Sequence, residues 1–472
     1  MQRPFARSTD VCVTAAELYL LPVETRMPLK FGREELSRVT CARVRLIVHD
    51  RLGRVAEGWG ETPLSVPWVW PSPMSYADRE AVLIDFCRRL TQAWPLALDY
   101  GHPLEIGASF QGTNLPALRK RFNEISRCSE PMPHLAALVC CSPFDIALHD
   151  AYGQLVGEPV YRVYGAEHLS RDLSHFLTPA PDSAVDFRGA YPEDFFDYPP
   201  PDRLPVWHLV GGLDPLTDDD REGPPIGDGY PETLREWIEQ DGLTCLKIKL
   251  RGADPEWDFR RLESVAAVAA DYDVRHLTAD FNCTVTDPKY VTAVLDRLER
   301  EHPQAYEKLL YVEQPFPYDL SSNQIDTREI SERIPLLMDE SAHDWRLIRL
   351  GRSLGWNGVA LKTCKTQTGA LLSLCWAKAH GMHLMVQDLT NPMLAQIPHV
   401  QLAAHAGTMM GVESNAMQFY PEASASEAAV HPGLYNRVDG MLDLGTIAGP
   451  GFGYRLDDID RRLPAPEVSC ER

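Results

Sequence analysis

The sequence predicts an α/β protein whose main part is a (β/α)8 barrel of the TIM type, preceded by an α+β domain. The chain has 472 residues, more than one hydrophobic core usually supports. Its first third contains short alternating strands followed by helices. From about residue 244, strand-like apolar runs alternate with helix-like segments, which is the pattern of parallel βαβ units.

The N-terminal third is predicted as three antiparallel strands followed by two long helices. The strands are VCVTAAELYLLPV, CARVRLIVHD and RVAEGWGETPL, with a turn at Arg51–Arg54. In RVRLIV, apolar and polar residues alternate as in a half-buried strand. The linker RMPLKFGREELS has little periodicity, which predicts an exposed loop that either reaches over a neighbouring site or is an ordinary connection. The helices are YADREAVLIDFCRRLTQAW and LAALVCCSPFDIALHDAYGQLVG.

Seven barrel strands follow one another at intervals of 22 to 33 residues. An eighth strand must precede them, and SHFLT and VWHLV are both candidates, with SHFLT preferred. The segment 179–229 is rich in proline and acidic residues, and it is predicted as an insertion of loops with at most one strand. The seven strands are centred on Ile248, Ala279, Val312, Met338, Ala360, Val386 and Val412.

The composition indicates a soluble globular protein, with 44% apolar and 24% charged residues. A net charge of −21 without any basic run argues against nucleic acid and anionic membrane as partners. The 11 cysteines lack CxxC spacing, and no apolar run is long enough to cross a membrane. We therefore expect a cytoplasmic protein with reduced thiols.

The first candidate site segment is Leu246-Lys247-Ile248-Lys249-Leu250. In barrels of this type the active site lies at the C-terminal ends of the strands. Side chains alternate along a strand, so Lys247 and Lys249 point to the same face. Mutual repulsion and desolvation would lower the pKa of both lysines toward that of a general base.

Carboxylates end the next three strands. Asp280 ends HLTAD, Glu313 ends LLYVE, and Asp339 with Glu340 ends PLLMDE. Carboxylates that converge at a barrel mouth require a cation, and an oxygen-only ligand set suits Mg²⁺ rather than zinc. The sequence therefore predicts a magnesium site at the barrel mouth.

The remaining strand ends offer further candidates. Lys365 follows GVALKT and would lie across the barrel from Lys247 and Lys249, while Lys362 is the weaker candidate. The seventh strand ends at Asp388 and the eighth at Gly411–Asn415; these residues either contact substrate or anchor loops.

The set KIK, ADFN, VEQP, DES and LKTCK, in this order, resembles the enolase superfamily. The resemblance is nearest to the muconate-lactonizing and dipeptide-epimerase branch of the mandelate racemase/muconate lactonizing enzyme proteins. GWGETPL, SPFDIALHDAYGQLVGEPVYRVYG and DGMLDLGTIAGPGFGY extend it over nearly the whole chain. It implies an α+β capping domain at 1–165 and a modified barrel at 166–435 that contains the insertion at about 179–229. A C-terminal segment, 436–472, would return to complete the cap.

The resemblance also implies roles for the candidate residues. Lys249 and Lys365 would be acid/base catalysts on opposite faces of a small-molecule carboxylate substrate, and Lys247 would support Lys249 or the substrate carboxylate. The ligands of one divalent cation, Mg²⁺ or in its place Mn²⁺, would be Asp280, Glu313 and Asp339. The supporting or substrate-binding residues would be Asn282, Glu340 and Asp388. A homo-oligomer is expected, since dimers and octamers both occur among similar proteins.

Two segments depart from the resemblance. The usual Gly-Gly after the second lysine is replaced by Thr366–Ala370, which would shift Lys365. The tryptophan-rich VPWVWPSP is unlike the compact epimerases, so the substrate would differ from theirs.

Three functions remain open. The leading one is a racemase, epimerase or cycloisomerase that removes the α-proton of a carboxylate through a metal-stabilised enediolate. A lyase that dehydrates a sugar acid is the rival, with Lys365 or Asp388 as general acid; the lack of a histidine at the end of the seventh strand weighs against it. A catalytically silent binding protein with this fold is the third. No GxGxxG or GxxxxGK[ST] follows a strand, which disfavours a nucleotide-dependent enzyme.

Overall fold

The N-terminal part of the protein is built on a four-stranded antiparallel sheet. The computed structural model describes residues 6–31, 34–97, 100–126, 128–221 and 223–472. The strand order is β13-β1-β2-β3, so the C-terminal strand pairs with the first one. The strands are β1 Val11–Phe31, β2 Glu34–Asp50, β3 Val55–Pro63 and β13 Val468–Glu471. The cap is thus completed by the C-terminal segment, as predicted.

Five helices accompany this sheet in the N-terminal part, of which α1, α2 and α5 contact it, and both predicted long helices are confirmed as α2 and α5. Ser75 caps α2, where its hydroxyl accepts from the Asp78 N–H, and α5 ends at Gly157 with φ +79°. A Cβ added at Gly58 would lie 2.1 Å from the Ala151 nitrogen, so the GWG sequence serves close packing of β3 on α5. The helices are α1 Val66–Val69, α2 Tyr76–Ala93, α3 Pro103–Ser109, α4 Leu115–Ile125 and α5 His134–Val156.

The second part is a barrel of eight parallel strands, and all seven predicted strand centres lie in strands. Neighbours pair in the order β10-β9-β8-β7-β6-β5-β4-β11, and the Met409 N–H donates to the Leu384 oxygen across the remaining seam. A short antiparallel strand, β12, pairs with β4. The strands are β4 Arg203–Val210, β5 Cys245–Lys249, β6 His276–Asp280, β7 Leu309–Glu313, β8 Leu336–Met338, β9 Gly358–Leu361, β10 His383–Val386, β11 Val412–Glu413 and β12 Met441–Asp443.

Helices surround the barrel, and several begin at an aspartate. The side chains of Asp254, Asp287 and Asp344 each accept backbone N–H groups of the first helical turn. The helices are α6 Leu234–Asp241, α7 Pro255–Ala270, α8 Pro288–Glu301, α9 Pro303–Lys308, α10 Arg328–Ser331, α11 Trp345–Ser353, α12 Gln367–Ala379, α13 Gln396–Ala406, α14 Ala416–Phe419, α15 Ala425–Val430 and α16 Pro432–Tyr435. No helix of the described ranges is long and apolar enough to cross a bilayer.

The first barrel strand is VWHLV, and the preference for SHFLT is wrong. Leu173–His175 is a 3-10 turn that Asp172 caps by accepting the Ser174 N–H. VWHLV lies in β4, between β5 and β11, where Val206 and Trp207 are fully buried. A strand covered on both faces is a nearly continuous apolar run; VWHLV is interrupted only by the buried His208, whereas three of the five residues of SHFLT are polar.

The linker RMPLKFGREELS is also not a loop. Residues 26–31 and 34–37 belong to β1 and β2, which continue beyond β3 as a two-stranded ribbon; residues 32–33 lie outside the described part. Val23, Leu29 and Leu36 of the ribbon pack against Leu209 and Phe419 at the barrel mouth. The ribbon therefore covers the neighbouring site, as expected of the linker, but as paired strands.

Candidate active site at the barrel mouth

The site is the second inward-facing layer of the barrel. The layer beneath it is apolar and contains Trp207, Cys245, Tyr311, Leu337 and Met385. Side chains two residues further along a strand point to the same face. The residues two positions later are Leu209, Lys247, Glu313, Asp339 and Gln387. Strand periodicity thus brings the predicted lysines and carboxylates together at the C-terminal mouth.

Lys247 lies at the centre of this layer and is almost fully buried. Its Nζ lies 2.7 Å from Glu313 Oε1, 2.9 Å from Glu413 Oε2 and 3.2 Å from Asp280 Oδ2. Burial alone would lower the pKa of Lys247, but Glu313, Glu413 and Asp280 raise it well above its ordinary value. The sequence-based expectation of a lowered pKa is therefore wrong for Lys247, because three carboxylates outweigh repulsion between the lysines.

Lys249 points to the same face, as predicted. Its Nζ donates to Asp280 Oδ2 at 2.5 Å, so Lys247 and Lys249 share one carboxylate oxygen. Burial would raise the pKa of Asp280, but the two ammonium groups hold it below its usual range. Asp280 is therefore ionised and fixes the end of the Lys249 side chain.

Lys362 and Lys365 approach from the sixth barrel strand and the turn after it. Lys365 Nζ donates to the main-chain oxygen of Asp339 at 2.5 Å and lies 3.3 Å from its Oδ1. Lys362 Nζ lies 3.2 Å from Asp339 Oδ2 and donates to the Asp388 main-chain oxygen at 3.0 Å. β5 and β9 are the second and sixth of eight strands, so the strand end of Lys249 and the turn of Lys365 lie on opposite sides of the barrel.

The mouth has more acidic than basic side chains. Six carboxyl groups lie with four ammonium groups, a formal excess of two negative charges when every carboxyl group is ionised, which is the state that a bound cation would favour. Burial raises the pKa of Glu313 to about 8, and Asp280 adds to the shift. Burial likewise raises the pKa of Glu340 to about 7, with Asp339 and Asp280 adding to it. The groups are Asp280, Glu313, Asp339, Glu340, Asp388 and Glu413, and Lys247, Lys249, Lys362 and Lys365.

The predicted metal ligands lie together, but an ammonium group lies among them. Within the described ranges, no three Asp, Glu, His or Cys side chains are arranged as a ready-made metal cage. Lys247 lies between Asp280 and Glu313 instead, and Lys362 and Lys365 approach Asp339. The excess of two negative charges and the oxygen-only donor set nevertheless match a divalent cation such as Mg²⁺. The residues present therefore fit that cation.

Two spaces adjoin these groups, and Trp68 of the cap separates them. A space of about 40 Å³ lies between Leu29 of the ribbon and three of the lysines, Lys247, Lys249 and Lys362. A cleft of about 880 Å³ opens on the other side of Trp68. The Trp68 Nε1–H donates to Glu340 Oε1 at 3.1 Å, and its ring centre lies 5.6 Å from Lys365 Nζ. The tryptophan-rich segment VPWVWPSP thus forms a wall of the site.

Helix α5 of the cap holds the turn that carries Lys365. Ser142 Oγ donates to the Thr363 oxygen at 2.8 Å. Asp145 accepts the Thr368 N–H at 2.7 Å and the Thr368 hydroxyl at 2.8 Å, and His149 Nε2 lies 2.9 Å from that hydroxyl. The three α5 residues are spaced by three and four positions, so they lie on one face of the helix.

The sequence Thr366–Ala370 does not move Lys365 away from the site. Thr366 has φ +76°, a conformation that usually favours glycine, and its hydroxyl accepts the Gly369 N–H at 2.9 Å. Gln111 of the cap accepts a hydrogen bond from the same hydroxyl. These contacts hold the turn in the absence of a Gly-Gly pair.

The remaining predicted residues and several unpredicted ones complete the site. Asn282 Nδ2 donates to Glu340 Oε1 at 3.2 Å. Asp388 accepts the Asn415 N–H at 2.8 Å, which anchors the seventh and eighth strand ends to each other. No role is predicted from the sequence for Gln314 or Trp68, and for Gln387 and Glu413 the sequence predicts only that such strand-end residues either contact substrate or anchor loops; for Gln387 a further signal is its position two residues after the buried Met385.

Comparison with known proteins agrees with this architecture. Residues 229–460 match the family described as Enolase C-terminal domain-like. A search among curated protein sequences found no significant match. A muconate lactonizing enzyme from Mucobacterium Smegmatis complexed with muconolactone is similar, with a TM-score of 0.60 and 16% identity over 94% of this chain and 96% of that one.

Two epimerase structures are similar as well. The L-Ala-D/L-Glu epimerase from Bacillus subtilis has a TM-score of 0.60 and 17% identity over 94% of this chain and 98% of that one. A dipeptide epimerase from Enterococcus faecalis V583, complexed with Mg and the dipeptide L-Leu-L-Tyr, has a TM-score of 0.59 and 16% identity over 94% and 99%.

The cap sheet closed by the C-terminal strand, the eight-stranded barrel and its mouth of lysines and carboxylates agree with these matches. Residues 229–460 therefore match the Enolase C-terminal domain-like family, and the chain as a whole has the fold of the similar muconate lactonizing enzyme and epimerase structures.

Proposed function

We propose that this protein abstracts the α-proton of a small-molecule carboxylate, as a racemase, epimerase or cycloisomerase. The observation that supports the proposal is that Lys249 contacts Asp280 and Lys365 contacts Asp339, from the second barrel strand and from the turn after the sixth. Two proton carriers that face each other can remove a proton from one face of a carbon and return one to the other.

Asp280, Glu313 and Asp339 would hold the divalent cation. When bound, the cation would neutralise the negative charge that develops on the substrate carboxylate as its α-proton leaves. Two of these carboxylates contact Lys247, and its raised pKa keeps that ammonium group protonated. Lys247 thus supplies a fixed positive charge beside the reacting carboxylate and is not the base.

Lys249 and Lys365 would carry the proton. Asp280 fixes the Lys249 ammonium, and Asp339 with the α5 contacts fixes Lys365. Trp68 and Leu29 close the space that Lys249 lines and exclude bulk water, which strengthens electrostatic interactions within it. In a cycloisomerase one lysine would act on the α-carbon while the other stayed protonated.

The dehydratase alternative has less support. The seventh barrel strand has its histidine, His383, at the first position, away from the mouth. The two polar residues at the mouth end of that strand are engaged, since Gln387 donates to Glu313 and Asp388 accepts from Asn415. A leaving hydroxyl group would therefore need Lys365 as its acid.

The test is solvent exchange. The Mg²⁺-loaded protein is incubated in D₂O with dipeptides, N-acyl amino acids, lactones and sugar acids, followed by proton NMR and mass spectrometry. We expect deuterium at the α-carbon with both configurations in the product. Lys249→Ala and Lys365→Ala should each exchange only the epimer whose α-proton faces the remaining lysine.

The control is Lys289→Ala, which removes an exposed lysine of α8 and should leave exchange unchanged. Full exchange of both epimers in Lys249→Ala would refute the assignment of the base. Loss of water to a 2-keto acid would favour the dehydratase, and no exchange with any substrate by a protein that binds Mg²⁺ would favour the silent binding protein.

A further inference from the structure

The space beside Lys249 is too small for the substrate that the proposed function requires. At about 40 Å³ it has room for about three water molecules, whereas binding sites for small organic ligands usually measure about 300–1,000 Å³. The neighbouring cleft, at about 880 Å³, falls in that range but lies on the other side of Trp68. Admission of a substrate therefore requires that a wall of the smaller space moves.

Trp68 is the wall that the two spaces share. Among the described residues that line them, it alone borders both. The residue is 8% exposed, so the indole in its present position separates the lysines from the cleft. Removal of the indole from this position would join the two spaces into one.

Few polar contacts hold the indole in place. One hydrogen bond, from Nε1–H to Glu340 Oε1 at 3.1 Å, fixes its edge. The ring centre lies 5.3 Å from Lys362 Nζ and 5.6 Å from Lys365 Nζ, which is the range of cation–π contacts. A carboxylate and a neutral carboxyl group both present an acceptor oxygen, so the hydrogen bond does not depend on the charge of Glu340.

The ribbon, which forms another wall of the smaller space, is held by more contacts. Arg26 donates to both oxygens of Asp228, at 2.6 and 2.8 Å, and to the Pro231 oxygen at 3.0 Å. Leu29 also belongs to an apolar cluster with Leu209 of the barrel. Lifting the ribbon would break these contacts together, whereas turning the indole breaks one hydrogen bond.

The surroundings of Trp68 allow its side chain to turn while its backbone stays in place. Pro67 fixes the first position of α1, and the Trp68 N–H donates to the Ser65 oxygen at 3.1 Å. The cleft beyond the indole has a largely apolar wall that includes Pro317 and Tyr318. An indole turned into the cleft would stay covered by apolar groups, so little hydrophobic burial would be lost.

We propose that the Trp68 side chain is a gate, whose indole turns into the cleft when a substrate enters and returns to seal the lysines from bulk water. The inference rests on the proposed function for the need to admit a substrate. The cleft is lined by residues that follow β5, β6, β7 and β8, so the substrate would enter from that side without lifting the ribbon. Motions that close an active site in this way take microseconds to milliseconds.

Fluorine NMR of the Mg²⁺-loaded protein labelled with 5-fluorotryptophan tests the gate. Trp68→Phe assigns the Trp68 resonance by its loss, and relaxation dispersion then gives the opening rate and the open population. We expect dispersion at Trp68 in the microsecond-to-millisecond range. A Trp68 resonance without dispersion would overturn the proposal.

Two other tryptophans are matched controls within the chain. Trp207 and Trp376 are fully buried. Their indole N–H groups donate to the main-chain oxygens of Met410 at 2.7 Å and Thr178 at 2.9 Å. Neither residue separates the lysines from the cleft, so both resonances should lack dispersion. Dispersion of equal size at all three tryptophans would refute a motion that is specific to the gate.

A variant tests the hydrogen bond that holds the gate. Glu340→Ala removes the acceptor of the Trp68 N–H and should raise the open population at least about threefold. The matched control, Glu329→Ala, removes an exposed carboxylate of the barrel and should leave the open population unchanged. Unchanged Trp207 and Trp376 resonances show that the variant keeps its fold. An unchanged open population in a folded Glu340→Ala variant would contradict the proposed closed state.

Comparison of two rates separates the gate from the proposed function. If every substrate molecule passes the gate, the kcat for α-proton exchange in D₂O cannot exceed the opening rate of Trp68. Turnover that is faster than opening would sustain the function and refute the gate. Opening at Trp68 without exchange on any substrate would sustain the gate and refute the function.

Discussion

Asp145 is expected to control the reaction without contacting the substrate. It is fully buried in α5 of the cap and accepts two hydrogen bonds from Thr368, three residues after Lys365. Asp145→Ala would remove the acceptor of the Thr368 N–H, while the Thr368 hydroxyl could still turn to His149. Asp145→Asn would keep one acceptor for the N–H and offer an amide donor to the hydroxyl oxygen. The two variants therefore separate the loss of the charge from the loss of the contact.

The magnitudes follow from these contacts. One buried N–H without a partner costs about 1–3 kcal/mol. A displacement of about 1 Å of a catalytic group can cost about 10²-fold in rate. We therefore expect the kcat for exchange to fall by about 10²-fold in Asp145→Ala, with KM changed much less, and to remain within about tenfold of wild type in Asp145→Asn.

The charge of Asp145 gives a second, independent readout. Burial raises its pKa from 3.8 to about 6, with the Thr368 contacts opposing. Between these values the folded state binds more protons than the unfolded state, so the contribution of Asp145 to the free energy of unfolding falls as the pH rises. The neutral Asn variant lacks this loss. Its stability relative to wild type should increase by up to about 3 kcal/mol from about pH 4 to 6 and stay constant above that range.

Urea unfolding from pH 4 to 8 and steady-state exchange kinetics at pH 8 measure both effects. Wild-type kcat in Asp145→Ala, or equal losses of activity in the Ala and Asn variants, would refute the positioning role. The difference in the free energy of unfolding between wild type and Asp145→Asn should change with pH. If it does not, burial does not raise the pKa of Asp145 in the folded protein.

Three further perturbations test the cation, the wall and the ribbon. Asp280→Asn should weaken Mg²⁺ binding by at least about tenfold in calorimetry, because it removes a ligand charge; unchanged affinity would exclude Asp280 as a ligand. Trp68→Ala should lower the free energy of unfolding by about 3–5 kcal/mol, since the side chain is 8% exposed, and Trp68→Phe by less; equal urea midpoints would contradict this. Arg26→Gln breaks a bidentate pair with Asp228, in which Nε lies 2.6 Å from Oδ2, and should speed hydrogen exchange of the ribbon while leaving global stability within about 1 kcal/mol. Unchanged exchange rates would show that this pair does not hold the ribbon.

Local periodicity was enough to predict most of the barrel and its polar layer. Seven strands follow from the strand–helix unit that a parallel barrel repeats along the chain. The shared face of Lys247 and Lys249 follows from the alternation of side chains within one strand. The meeting of Asp280, Glu313 and Asp339 follows from their equivalent places at strand ends. These predictions needed no knowledge of contacts between distant parts of the chain.

The errors concern interactions over long distances. The pKa of Lys247 depends on Glu413, 166 residues away, which brings a third carboxylate to the ammonium group. SHFLT and VWHLV have similar strand propensities, so the sequence alone does not separate them. VWHLV is the barrel strand because it lies in β4, which pairs with a neighbouring strand on each side. The linker sequence predicts a loop because its apolar residues show little periodicity. In the structure these residues form a ribbon that packs on the barrel and not on the cap sheet.

The cap and the barrel together complete the site. The barrel supplies the lysines and carboxylates, but Trp68 and Leu29 of the cap close the space above them, and α5 holds the turn of Lys365. The C-terminal segment also binds this unit, since Asp150 of α5 accepts N–H groups from both β3 and Phe452. A shift of the cap would therefore move Lys365 and the wall of the substrate cleft together, whereas Lys249 would stay with the barrel. The distance between the two proton carriers thus depends on the packing between cap and barrel, and cap substitutions far from the substrate should change the proton transfer made by Lys365 more than the one made by Lys249.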